Sequence, residues 1–276
     1  VSAVDVEERT VRLSHGHTHY LEAGDGAPVI LLHGVGFWQG GDYWLPNIRC
    51  LGTKYRVYAP DFVGWGDGDR LDIEYSFAYL VDFVREFQDA LGLSSAHIVG
   101  HSMGGWVAAL LAYESPNRVR TLTLVDSGGM AERTLSTMTA FRPPEFEDIF
   151  NHVLKTTTLR GSDARNLAQR WYDRTHLPGA LEAYQKILNH MNHPTNRARY
   201  GLRRRLPHIG CPALIVWGAD DDINDLELGK DLHSLLSHSE FTILPGGHFI
   251  PSETPDEFNR RVMEFLDKHA AEGRSA

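Results

Sequence analysis

Gly100-His101-Ser102-Met103-Gly104-Gly105 directly follows the apolar run 96–99 and directly precedes a helical stretch over 106–113. A strand that enters a helix through so tight a turn forces strained backbone on the central residue, and small flanking glycines permit it. Ser102 is therefore expected to stand out at the top of a sheet as a candidate nucleophile.

Working outward, short apolar runs rich in Val and Ile recur at 29–32, 55–59, 96–99, 121–125, 213–217 and 241–244, each bounded by turn residues. Their length and composition predict buried parallel strands. Helical patterns lie between them, the clearest being Phe77, Leu80, Val81, Val84, Phe87 and Leu91, which share one face at a period of 3.6. This alternation predicts an α/β fold with a mostly parallel, doubly wound sheet flanked by helices. Two earlier alternating segments, 10–13 and 19–21, suit an antiparallel pair leading into that sheet.

From about Arg133 to Arg205 the strand signal gives way to helical stretches at 146–154, 164–174 and 181–191. The domain reading is a core of residues 1–132 and 206–276 with a helical lid, 133–205, over the carboxyl ends of the strands, where open α/β sheets place their ligands.

A serine hydroxyl is a weak nucleophile until a base takes its proton, so the site requires a histidine from elsewhere in the fold. Among fifteen histidines, His248 follows the last predicted strand in Pro245-Gly246-Gly247-His248, which puts it at the same end of the sheet as Ser102. His152, His190, His193 and His233 fall on predicted helix surfaces. The orienting carboxylate should also end a strand, and Val216-Trp217-Gly218-Ala219-Asp220-Asp221-Asp222 favours Asp221. Asp126, which ends the strand at 121–125, is the rival. Charge on an attacked carbonyl oxygen calls for preorganised donors. The backbone N–H groups of Val35, within His33-Gly34-Val35-Gly36, and of Met103 are the expected oxyanion hole.

The 276 residues are 42% hydrophobic and 23% charged, without a Pro/Gly/Ser-rich linker, which excludes disorder. The formal charge of −9 contains no long block of like charge, so nucleic acid and anionic membrane are not expected partners; a small-molecule substrate is. Arg203, Arg204 and Arg205 form one short basic run, read as a solvated helix end. Cys50 and Cys211 have no metal-ligand spacing and are too few for a disulfide scaffold. With no basic leader and no apolar run near the ~20 residues of a membrane helix, a cytoplasmic address is expected. No metal and no organic cofactor are expected, because neither a ligand cluster nor a dinucleotide motif occurs. Phe37, Trp38, Tyr43, Trp44 and Trp106 suggest a pocket with an aromatic side.

The order Ser, Asp, His, together with the His-Gly loop and the inserted helices, resembles the α/β-hydrolase family along nearly the whole chain. Within it, residues 100–105, Gln169-Arg170-Trp171 and Gly247-His248 resemble the meta-cleavage product hydrolases, which split a carbon-carbon bond in 2-hydroxy-6-oxohexa-2,4-dienoates formed by ring cleavage of aromatics. The resemblance implies that Arg170 contacts the substrate carboxylate, for which a planar guanidinium is suited. It also implies that His101, Phe249, Gly34 and Gly36 line the substrate site. Two positions depart from the subfamily: His101 stands where Asn is usual, and Phe249 where Trp is usual. Both bear on substrate choice, so a carboxylesterase acting on small or aromatic esters is the alternative. Relatives often self-associate, and a homo-oligomer is left open.

Overall fold

The computed structural model describes residues 4–132 and 141–270. Eight strands form one sheet: β1 (Val6–Leu13), β2 (Gly16–Ala23), β3 (Pro28–Leu32), β4 (Arg56–Pro60), β5 (Ala96–His101), β6 (Val119–Val125), β7 (Ala213–Gly218) and β8 (Ser239–Leu244). Their spatial order is β1-β2-β4-β3-β5-β6-β7-β8. The β1–β2 and β2–β4 pairs are antiparallel and the others parallel. All of β5 and β7 is buried, as expected for strands covered on both faces.

Helix α1 (Leu45–Leu51) precedes β4, and α2 (Phe77–Ala90) and α3 (Met103–Glu114) flank β5 in the chain. The α2 helix starts where Ser76 Oγ accepts the Tyr79 N–H at 3.1 Å, and it buries Phe77, Leu80, Val81, Phe83, Val84 and Phe87. Between β6 and β7 come α4 (Phe146–Thr156), α5 (Gly161–Thr175), α6 (Ala180–Asn192) and α7 (Pro194–Tyr200). The described part of the expected lid is therefore built from four helices and their connections, and residues 133–140 of that range lie outside the described residues. The chain closes with α8 (Leu226–Leu235), α9 (Ile250–Glu253) and α10 (Pro255–Ala270).

Two apolar layers sandwich the sheet. One joins α2 and α3 to Ile30, Ile98 and Leu122; the other joins α1 and Phe258, Val262 and Phe265 of α10 to Val29, Val99 and Val216. A smaller cluster of Ile149, Val153, Ala164, Ala168 and Trp171 holds α4 against α5. Helix α5 is also tied to the core by charge. Arg174 Nη1 donates to Asp42 Oδ1 at 2.8 Å and Nη2 to Asp67 Oδ2 at 2.5 Å, while Trp171 Nε1 donates to Asp42 Oδ2 at 3.1 Å. No helix among the described residues is long and apolar enough to cross a membrane. Cys50 and Cys211 are both free thiols.

Candidate active site

The chain runs from β3 outward to β4, then crosses back to lay β5 on the other side of β3. The strand order thus reverses between β3 and β5, and the loops leaving their carboxyl ends enclose a crevice. Those loops carry His33-Gly34-Val35-Gly36 and Ser102.

Ser102 has φ 53°, in the left-handed region that a residue with a Cβ enters only under constraint. Three backbone bonds hold it there: its N–H donates to Val125 O at 2.9 Å, and its carbonyl accepts from Trp106 at 3.1 Å and Gly128 at 2.9 Å. The glycines around it are required by close approach. A Cβ on Gly100 would lie 2.3 Å from Gly104 O, and one on Gly104 would lie 2.3 Å from Leu32 O.

His248 Nδ1 and Asp221 Oδ2 are 2.9 Å apart, with His248 only 4% and Asp221 0% exposed. The second Asp221 oxygen accepts the N–H groups of Ile223 at 2.8 Å and Asn224 at 2.9 Å, which fixes the carboxylate. This arrangement commits Nδ1 to the aspartate and leaves Nε2 free to take a proton. Ser102 and His248 line the same cavity.

The rival carboxylate sits immediately behind. Asp126, fully buried with φ 44°, accepts the Gly218 N–H at 2.7 Å, and its carbonyl accepts from Asn224 Nδ2 at 2.8 Å. Burial pushes its carboxyl well above the usual range and the Asp221 charge adds to the effect. Burial and the Asp221 charge thus both favour the neutral form of Asp126, whose Oδ1 braces the start of the Asp221 loop at Gly218 while Oδ2 has no hydrogen-bond partner among the described residues.

The loop that carries His33 to Gly36 is held from below. His33 Nε2 accepts the Phe62 N–H at 3.0 Å, so Nδ1 carries the hydrogen and donates to Gly34 O at 2.7 Å. Burial lowers the His33 pKa to about 4 and keeps the ring neutral. Gln39 Oε1 accepts the Gly36 N–H at 2.9 Å. The N–H groups of Val35 and Met103 have no acceptor among the described residues, and both residues line the cavity.

The cavity is about 310 Å³, and its other walls include Gly36, Trp38, His101, Trp106, His152, Met191, Arg197 and Phe249. His101 lies against it as a buried ring stacked on Tyr43, with centroids 5.0 Å apart, and its Nε2–H donates to His248 O at 2.7 Å. Burial, with His248 adding, keeps it neutral. Gly34 packs behind the wall, beneath His101 and Gln39.

One expected substrate contact is corrected. Arg170 is absent from the cavity wall: it is 49% exposed on the outer face of α5 and pairs with Glu8 at 3.3 Å. The inward stripe of α5 is Ala164, Ala168, Trp171 and Thr175, and Arg170 lies off it. Conversely His152, read as a surface residue, faces the cavity 4.7 Å from Phe249 and 5.1 Å from Trp38, ring to ring. The signal for it was available, because Ile149, His152, Val153 and Thr156 form one helical stripe. Arg205, read as solvated, is buried over Tyr113.

Away from the cavity, His19, Asp61 and Asp67 bring ligand-type atoms within 4.8 Å of one another. Asp61 already accepts from Gly41, Asp67 and His19, and Arg174 supplies the cation at Asp67.

A strained serine, a carboxylate-oriented histidine and unsatisfied backbone donors at the rim of one parallel sheet define an enzyme of the serine-hydrolase class. The chain belongs to the α/β-hydrolase family, whose model, described as alpha/beta hydrolase fold, matches residues 27–255. It is similar to the 2-hydroxy-6-oxo-6-phenylhexa-2,4-dienoate hydrolase of Comamonas testosteroni, at 30% identity over 266 residues covering 90% of each chain. Among solved structures it resembles the meta-cleavage product hydrolase of Pseudomonas fluorescens IP01, at 27% identity and TM-score 0.80, covering 94% of this chain and 97% of that one. It also resembles a bacterial membrane phospholipase A, at 26% identity and TM-score 0.80, covering 98% and 87%.

Proposed function

We propose that this enzyme hydrolyses the carbon-carbon bond of a 2-hydroxy-6-oxohexa-2,4-dienoate-type compound, with Ser102 as nucleophile, His248 as proton carrier and Asp221 as its orienting carboxylate. The observation that carries the catalytic part is the 2.9 Å His248–Asp221 contact beside Ser102 in an aromatic-lined cavity. The substrate class draws its support from the similarity to dienoate hydrolases over most of the chain.

In this mechanism the dienol is first ketonised. Ser102 Oγ gives its proton to His248 Nε2 and attacks the distal carbonyl carbon. The oxyanion accepts the N–H groups of Val35 and Met103. As the tetrahedral centre collapses, the carbon-carbon electron pair passes to the dienoate fragment, which takes the proton from His248. The other product is a carboxylic acid, released by water from an acyl-enzyme. The helices of residues 133–205 act as the lid that shapes the acyl side and excludes water.

The position of Arg170 outside the cavity favours a second reading, a carboxylesterase that uses the same machinery. Steady-state turnover on 2-hydroxy-6-oxohexa-2,4-dienoates and on p-nitrophenyl esters, with Ser102→Ala alongside, separates the two. Dienoate kcat/KM above the ester value by orders of magnitude establishes the first; ester turnover alone establishes the second. Ser102→Ala is expected to lose at least ~10³-fold in kcat, and activity surviving in it would refute both.

A further inference from the structure

Among the described residues, Arg197 is the one side chain of fixed charge on the cavity wall; the other titratable groups there are histidines, and no carboxylate lines it. Its guanidinium has five N–H donors. Nη1 donates to Met191 O at 3.3 Å and Nη2 to Ala131 O at 2.8 Å, while the buried Nε–H has no partner. No acidic side chain among the described residues forms an ion pair with Arg197. The guanidinium carbon stands 5.4 Å over the Trp106 ring, itself part of the wall. Burial lowers the Arg197 pKa with no acid nearby to offset it.

A partly desolvated guanidinium without a counter-ion is costly, and a carboxylate delivered by a ligand would relieve that cost with charge-assisted, bidentate hydrogen bonds. Arg197 also lines an adjoining hollow, together with Ala131, Glu132, Arg203 and Arg204, and Glu132 forms no ion pair with it. The cation therefore stands at a junction, with the catalytic serine on one side and the adjoining hollow on the other. Arg203 is paired with Asp231 at 2.8 Å, whereas Arg197 has only backbone carbonyls as partners.

We propose that Arg197 is the anion-binding, specificity-determining residue of this site, holding a substrate carboxylate remote from the carbonyl that Ser102 attacks. The assignment rests on the reading of Ser102 as nucleophile, and holds for a dienoate or an acid monoester alike. It gives the chain the cation that Arg170 does not supply.

The test uses p-nitrophenyl hydrogen adipate and its methyl ester, which differ by one charge. The unaltered enzyme is expected to favour the acid at least about tenfold in kcat/KM. Arg197→Gln should collapse that preference to within about twofold, through KM for the acid. An unchanged ratio, or equal losses on both compounds, overturns the proposal. Should Arg197→Gln not fold, competition on the unaltered protein decides: hexanoate should bind at least about tenfold more tightly than hexanamide, and equal binding overturns the proposal. Failure of the serine reading would show separately, as turnover surviving in Ser102→Ala, while the hexanoate comparison would still report on Arg197.

Discussion

At the scale of the residue, the two aspartates behind His248 make different contacts and therefore have different sensitivities. Asp221 bonds to His248 as a carboxylate, so Asp221→Asn should lower kcat by about 10³–10⁴-fold by presenting the wrong partner to Nδ1. Asp126 accepts the Gly218 N–H on Oδ1, burial favours its neutral form, and Oδ2 has no partner among the described residues. An uncharged amide keeps the acceptor for Gly218, so Asp126→Asn should stay within about tenfold of the parent, whereas comparable losses in the two variants would refute the neutral form of Asp126. Both aspartates were visible in the sequence as strand-ending acids; what distinguishes them is the reach of the 218–221 loop, which no local pattern encodes. Arg170 shows the opposite case. A matching tripeptide suggested a contact, yet the apolar stripe of its own helix already pointed the neighbouring Trp171 inward. Arg197 carried no signal, because its meaning depends on having no acid beside it in space.

At the scale of the element, the elbow and α5 are each fixed by a few atoms. Gly104→Ala would set a Cβ 2.3 Å from Leu32 O and 2.6 Å from His33 O, backbone atoms that cannot yield, and should cost about 2 kcal/mol or more in urea unfolding. Arg174, 3% exposed, faces Asp42 at 1%. Arg174→Ala leaves Asp42 buried without its partner and should cost about 3–5 kcal/mol, with little rescue by Lys, whose point charge cannot span Asp42 and Asp67. Unfolding midpoints within error of the parent would show that α5 is held by its apolar face alone. The inner strands β3 to β7 were legible from their apolar runs, since burial on both faces removes alternation and leaves a short Val/Ile segment. The helices between β6 and β7 were legible as helix but not in orientation, because their facing surfaces are shared among α4, α5 and the core.

At the scale of the whole molecule, alternation of strand and helix was readable, but the order β4-β3-β5 was not: it is a property of crossovers in space, and it is what brings the elbow beside the His33 loop. A global pH response follows from the buried histidines. Burial lowers His33, His97 and His152 to about 4, and His101 also falls well below its ordinary value. The unfolded chain takes up these protons near pH 6.5 and the folded one does not until about 4. Their stability contribution is therefore complete above pH 6.5 and declines as pH falls toward 4, by up to ~1.4 kcal/mol per pH unit for each group. His19, raised by its bond to Asp61, works in the other direction. The urea midpoint should drop between pH 6.5 and 5, and a flat profile would contradict the neutral state of these rings. The Arg174 anchor has a consequence for how such a protein can change over generations. With α5 bolted to Asp42 and Asp67, variation there is punished by unfolding, while His152 on α4 and Met191 on α6 contact the ligand space without belonging to any ionic cluster. Diversification is channelled to those neighbouring helices, so new substrate ranges can arise by exchange at a few permissive positions while the scaffold stays in one piece.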